Sequence, residues 1–228
     1  MSHSDGSILG LEHGKIGDRI AVVLNGKQIY KKLYKPTNPR TPKQQMHRAK
    51  IAFANKLAAV MAEAVNLGFA LVPKPGSGQS PRNAFVKMNW EHEAFAWNED
   101  SGSWGIVPER LMVAYGPRYI GRDMSATEND GRLHISCPTT GLADSHAVSD
   151  DQLYVAVYRP AIPKLILYPG PLRGECRECE FQLPEKAGVD DPMLVFAWFQ
   201  ATSYHRSDGD KVTVRPNQAS RSIYLGTF

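Results

Sequence analysis

With 228 residues, 42% of them hydrophobic and 9% aromatic, the chain has ample apolar material for a core, which excludes general disorder. Its formal net charge of +4 is unevenly placed: residues 1–57 carry 11 basic and 3 acidic side chains, net +8, and residues 58–228 carry 16 and 20, net −4. A basic arm on a mildly acidic body points to an anionic partner or to a complementary surface on another copy of the chain.

The first ten residues, Met1 to Gly10, are polar, with no cationic start and no long apolar stretch, so they do not read as a signal peptide. No window reaches the roughly 18 apolar residues that a membrane span needs. A cytoplasmic or virion protein with no membrane partner is expected. From Arg19 to Ala62 there are ten Lys or Arg and no Asp or Glu. Within that run, Asn25-Gly26 is the dipeptide most typical of a two-residue hairpin turn. Pairing outward from it sets Leu24 against Lys27, Val22 against Ile29 and Ile20 against Lys31. Ile20, Val22, Leu24 and Ile29 then share one face. A two-stranded hairpin is marginal alone, so this face requires cover.

Two X-Pro steps in Lys35 to Pro42 interrupt regular structure, and Thr41-Pro42 with Gln44 forms an N-cap, an N1 proline and a capping box. A single amphipathic helix is predicted from there to about Gly68, with Met46, Ala49, Phe53, Leu57, Val60, Ala64 and Leu67 as its apolar stripe. Pro73 to Pro81 is a breaker cluster. Beyond it the period becomes two, and strands are predicted at 84–90, 110–115, 132–137, 152–158, 164–168, 177–183, 193–200 and 222–225. The near-continuous apolar run Met193 to Phe199 predicts a central strand. The expected fold is mainly β with one long N-terminal helix: a hairpin and helix followed by an antiparallel immunoglobulin- or fibronectin-like sandwich. The expected divisions are a basic attachment arm at 1–72, an aromatic-rich connector at 73–107 and the sandwich at 108–228.

Asn25 to Tyr30, then Asn38-Pro39-Arg40-Thr41-Pro42-Lys43-Gln44-Gln45 with Arg48 and Phe53, resembles the opening of a family of uncharacterised proteins of Bacteroidota and their phages. Pro108 to Gly116, Asp151 to Tyr158, Leu183-Pro184 and Ser222 to Gly226 are similar to later landmarks of that family. The resemblance implies an N-terminal hairpin and helix before a β-sandwich, and a virion or phage-encoded role. The chain departs from the pattern at Cys137 and in the insertion from Tyr204 to Ala219.

The candidate nucleic-acid or partner-binding residues are Lys27, Lys31, Lys32, Lys35, Arg40, Lys43, Arg48 and Lys50, with Tyr30 and Tyr34 interleaved. Five or six phosphate contacts would give log K a slope against log salt of roughly −4 to −5. The alternatives are a solvated surface or docking on an acidic patch of a sister subunit, for which Glu91, Glu93, Glu99 and Asp100, or Asp190 and Asp191, are candidates. Ile20, Val22, Ile29 and Phe53 form the expected docking face. Three cysteines cannot all pair within one chain, and reduced thiols are expected.

His134, Cys137, Cys176 and Cys179 offer four ligand types in two close pairs. Both pairs sit on or beside predicted strands, where i and i+3 face opposite ways, so no metal and no cofactor is expected. Cys179, Phe181 and Leu183 share a face and read as core. Glu91-His92-Glu93 and Asp144-Ser145-His146 lack catalytic spacing, and Gly76 to Gln79 is not a phosphate-binding loop. Trp90, Trp97, Trp104, Tyr115 and Tyr119 either form an exposed platform or close the ends of a core.

These readings converge on a non-catalytic structural or assembly protein of phage type, forming homo-oligomers or binding a shell partner or nucleic acid. A ligand-recognition module for a sugar or surface polymer is the alternative. An enzyme would show itself by a pocket joining His92, His134 or His146 with carboxylates.

Overall fold

The computed structural model describes residues 3–4, 12–24, 27–34, 40–72, 79–121, 123–137, 147–186, 188, 191–201, 205–208, 211–214 and 218–228. Strand accounts for 42% of the residues and helix for 23%, so the mainly β expectation holds. The described residues up to Met46 group as one compact unit and those from His47 onward as another. The expected boundary near residue 72 is therefore displaced: most of the first helix belongs to the body.

The first unit is an antiparallel sheet in the order β1 (His3–Ser4), β2 (Glu12–Ile16), β3 (Arg19–Leu24) and β4 (Lys27–Lys32). The β3–β4 register is the expected one, with Leu24 opposite Lys27, Val22 opposite Ile29 and Ile20 opposite Lys31; Asn25 and Gly26 lie outside the described residues. β2 is an addition to the expected hairpin. It turns into β3 through Gly17 and Asp18, with Gly17 at φ +59°, a left-handed conformation that glycine adopts at no steric cost. Three strands bury Ala21 where two would leave it bare. Thr41 caps the helix that follows: its Oγ1 accepts from the Gln44 N–H at 3.3 Å.

That helix is not one rod. α1 (Pro42–Val60) ends at Met61, whose φ of −89° and ψ of 15° depart from helical values, and α2 (Ala62–Gly68) follows with the Met61 N–H still bonded to the Leu57 carbonyl and the Val65 N–H to that of Met61. The buried stripe is Ala54, Leu57, Ala58, Met61, Ala64, Val65 and Phe69. Of the predicted stripe, Leu57 and Ala64 are buried, Phe53, Val60 and Leu67 sit at its margin, and Met46 and Ala49 are exposed. A third helix, α3 (Pro81–Glu91), replaces the strand predicted at 84–90: Ser80 Oγ accepts from the Asn83 N–H, and Pro81 holds the first position.

A hairpin of β5 (Phe95–Asn98) and β6 (Ser103–Ile106) follows, then a 3₁₀ turn at Pro108–Arg110. The segment 111–115 was expected as a strand, but its hydrogen bonds go elsewhere. Met112 N–H donates to Asn89 Oδ1, and the Val113 and Ala114 N–H groups donate to Ser222 Oγ. Tyr115 N–H donates to the Gly68 carbonyl.

The remaining strands are β7 (Ser125–Asn129), β8 (Arg132–Ser136), β9 (Asp151–Arg159), β10 (Lys164–Leu172), β11 (Glu178–Gln182), β12 (Leu194–Ala201), β13 (His205–Asp208), β14 (Lys211–Val214) and β15 (Ile223–Thr227). β13 and β14 pair with each other. The others make two antiparallel sheets, β10-β9-β12-β15 and β11-β8-β7.

Leu153, Val155 and Val157 of β9, with Val195, Ala197 and Phe199 of β12, share a core with Leu133, Ile135 and Phe181 of the smaller sheet. The alternate residues Ala156, Tyr158, Phe196 and Trp198 share a second core with Leu57, Met61, Phe69 and Phe85 of the helices. The four-stranded sheet is thus the middle of three layers. A plain immunoglobulin- or fibronectin-like sandwich does not account for this, because such a sheet keeps one solvated face whereas every residue of β12 is buried. None of the described helices is long and apolar enough to cross a membrane.

Candidate functional site

The alternation of β3 and β4 places Ile20, Val22, Leu24, Lys27, Ile29 and Lys31 on one face of the N-terminal sheet, and Lys15 joins them opposite Ile20. Ile20, Val22 and Ile29 are half-buried, and the three lysines are exposed around them. The other face is partly satisfied from within. Gln28 grips the backbone of Glu12, accepting from its N–H at 2.7 Å and donating to its carbonyl at 2.9 Å, while Tyr30 Oη donates to the Glu12 carboxylate at 2.8 Å. That hydrogen bond raises the Tyr30 phenol above its ordinary pKa.

Of the nine exposed large hydrophobic residues among those described, five fall in this short segment: Leu24, Tyr30, Leu33, Tyr34 and Met46, with Tyr34 72% exposed. Of the strand residues among them, Leu24 lies on the Ile20, Val22 and Ile29 face and Tyr30 on the opposite one.

The eight candidate cations fall on both units. Lys27, Lys31, Lys32, Arg40 and Lys43 are exposed in the first unit, while Lys35 lies outside the described residues. Arg48 and Lys50 belong to the second unit. Lys50 is half-buried, with its ammonium 4.2 Å from the Trp90 ring centre and 5.0 Å from that of Trp104, so its charge is engaged within the body. Phe53 leaves the docking face for the same reason: it packs edge to face on Phe95 at 5.8 Å, at the margin of the helix core.

The candidate acidic patches are also reduced. Glu91 pairs with Lys87 and Glu93 with Arg110. Asp191 is buried against Arg159, and Asp190 lies outside the described residues. Glu99 and Asp100 remain exposed in the β5–β6 turn.

Trp90, Trp97 and Trp104 are neither an open platform nor fully core. All three are half-buried, Trp97 and Trp104 meet edge to face at 5.6 Å, and His47 abuts Trp90 at 5.2 Å. Tyr115 is exposed and Tyr119 half-buried. Trp104 lines an apolar cavity of about 290 Å³ together with Phe53, Leu57, Ile106, Tyr158 and Pro160.

The smaller sheet carries a second cavity, of about 490 Å³, lined by Ser125, Thr127, His134, Glu178, Cys179 and Glu180 among others. His134 stands between Thr127 and Glu180 on adjacent strands, with its Nδ1 3.4 Å from Glu180 Oε2. Arg132 also pairs with Glu180 and holds that carboxyl below its ordinary pKa. This is the convergence of a histidine with carboxylates that an enzyme would display, but the His134–Glu180 pair is about 40% exposed and among the described residues no nucleophile is hydrogen-bonded to it. His92 is exposed at the end of α3, and Asp144, Ser145, His146 and Gly76 to Gly78 lie outside the described residues.

The three cysteines converge, contrary to their expected separation. Cys176 is not on β11 but in the turn before it, so the opposite-face rule for strands does not divide it from Cys179. Cys137 follows the last residue of β8, and its N–H donates to the Arg177 carbonyl at 2.7 Å. Cys176 Sγ lies 3.4 Å from Cys137 Sγ. Hydrogen bonds from Cys137 and Cys179, helped by the nearby Arg173 guanidinium, pull the Cys176 thiol down to about 4, and the same contacts push the other two thiols up. All three are unpaired with one another by disulfide. His134 faces the other way along β8. Among the described residues no group of three or more His, Cys, Asp and Glu side chains is arranged to hold a metal ion.

Comparison with protein-family models, curated proteins and solved structures finds no match to this chain.

Proposed function

We propose that this chain is a non-catalytic assembly protein that docks through its N-terminal sheet onto another copy of itself, as a phage or prophage structural protein would. The observation that carries the reading is the row Ile20, Val22 and Ile29 on a sheet face rimmed by Lys15, Lys27 and Lys31, with Leu24 exposed at its end. Covering such a face is favourable at roughly 25 cal/mol per Å² of apolar area. The lysine rim selects an acidic counterpart, and residues 58–228 carry a net −4. β4 is an edge strand of its sheet, so backbone pairing can add to side-chain contact. The virion setting rests on the resemblance of the opening residues.

The native mass of the full chain, measured with the ratio of absorbance at 260 and 280 nm before and after a high-salt wash, tests the reading. A multimer free of nucleic acid is expected. A monomer that retains nucleic acid until the wash would instead make the lysines a phosphate grip.

A second reading, recognition of a sugar or surface polymer, is favoured by the cavity beside Trp104. Tryptophan fluorescence that shifts on titration with oligosaccharides, and does not shift in a Trp104→Phe variant, would support it over assembly.

A further inference from the structure

The cysteine cluster plays no part in docking, and it has the geometry of a reactive site. Cys137 and Cys176 are buried and 3.4 Å apart at sulfur; a disulfide needs about 2.05 Å, so closure asks for little more than a side-chain rotation. The Cys137 N–H bond to Arg177 holds the two backbones side by side across the end of the β8–β11 ladder. Cys179 is half-buried where Cys137 and Cys176 are buried, so it is the thiol that a small solute meets first.

We propose that Cys137, Cys176 and Cys179 form a thiol–disulfide site that closes under a hydroperoxide, with Cys179 as the entry sulfur and Cys137–Cys176 as the final bond. The Cys179 sulfur attacks one peroxide oxygen as its proton passes to the neighbouring Cys176 thiolate and on to the departing oxygen, the O–O bond breaks, and the products are a sulfenic acid and water. The Cys176 thiolate then attacks the Cys179 sulfur, the S–O bond breaks, and hydroxide leaves, taking a proton from solvent to become the second water. The Cys137 thiolate displaces Cys179 from Cys176, and Cys179 takes up the proton that Cys137 gave. Two thiols are oxidised by two electrons, one peroxide is reduced, and the last step is exchange. The resting bond spans 39 positions of sequence where Cys176–Cys179 would span three, and a longer closed loop constrains the unfolded chain more.

The test treats the full chain with a small excess of hydrogen peroxide and counts thiols after denaturation. Non-reducing tryptic mapping then identifies the bond. Trypsin cleaves after Arg177, between Cys176 and Cys179, so the two candidate disulfides give different peptides. The expected result is loss of two of the three thiols, a Cys137–Cys176 peptide pair that dithiothreitol abolishes, and a Tm raised by roughly 5–15 °C. Cys179→Ser is expected to slow closure about tenfold or more. Three intact thiols, oxidation confined to Cys179 as sulfinate, closure at an unchanged rate in Cys179→Ser, or one equivalent of bound metal holding all three sulfurs would each overturn the proposal; the wild-type readouts decide it even if the variant misfolds.

Discussion

Asp151 is fully buried between two arginines. Its carboxylate accepts from Arg173 Nε at 3.1 Å and lies 3.7 Å from Arg118 Nε, and it also takes the Val148 N–H at 3.1 Å. Arg173 in turn donates to the Tyr119 carbonyl and lies 3.7 Å over the Phe199 ring; burial depresses its basicity more than Asp151 restores it. Removing the anion strands buried positive charge, so Asp151→Asn is expected to destabilise by about 3–5 kcal/mol, read as a lower urea midpoint. Asn89 does comparable work without charge: its amide donates to the Phe85 and Met112 carbonyls and accepts from the Met112 N–H. Asn89→Ala leaves backbone groups of a buried segment unpaired and is expected to cost about 2–3 kcal/mol, measured by the same titration. Neither role was legible in the sequence. Asn89 sat inside a segment that alternates like a strand, and a polar residue announces burial only once its partners, here 23 positions away, are in place.

Local chemistry was legible at the level of elements where it acts alone. The β3–β4 register follows from Asn25-Gly26 and alternation, the start of α1 from Thr41-Pro42, and the central position of β12 from its apolar run. Elements set by tertiary contact were not. The Gly17-Asp18 turn resembles the hairpin signals, but Glu12–Ile16 is too polar and glycine-broken to read as a strand until Gln28 and Tyr30 fasten it. Ser80-Pro81 looked like the end of a breaker and is the start of α3.

The end of α2 shows the same dependence on packing. A Cβ on Gly68 would stand 2.5 Å from Ala114 Cβ and 2.7 Å from the Val113 carbonyl oxygen, closer than real contacts allow and partly against backbone. Gly68→Ala is therefore expected to lower stability by about 1–3 kcal/mol, despite alanine's better helix propensity; a rise in Tm would contradict the close approach. At the other end, Thr41→Ala removes the cap and is expected to cost about 1 kcal/mol of helix stability, visible as fraying of α1 by amide exchange at Gln44.

The molecule as a whole is a small basic sheet unit, where Ala21 is the buried hydrophobic residue among those described, and a three-layer body with two cores. The body takes Leu57, Met61 and Phe69 of α1 and α2 into its core. Sequence pattern spread the candidate attachment surface over both sheet and helix, because the stripe of a helix and the face of a sheet are both amphipathic and only packing tells which is already covered. Phe53 and Lys50 are covered by the body's own aromatic residues, whereas Ile20, Val22 and Ile29 remain at a lysine-rimmed face. The measurement that bears most directly on self-docking is a sedimentation-equilibrium dilution series of the full chain and of a Val22→Asp, Ile29→Asp variant. The account predicts a concentration-dependent multimer for the native chain and a folded monomer, unchanged in circular dichroism, for the variant. Identical masses for the two proteins at every concentration would contradict it.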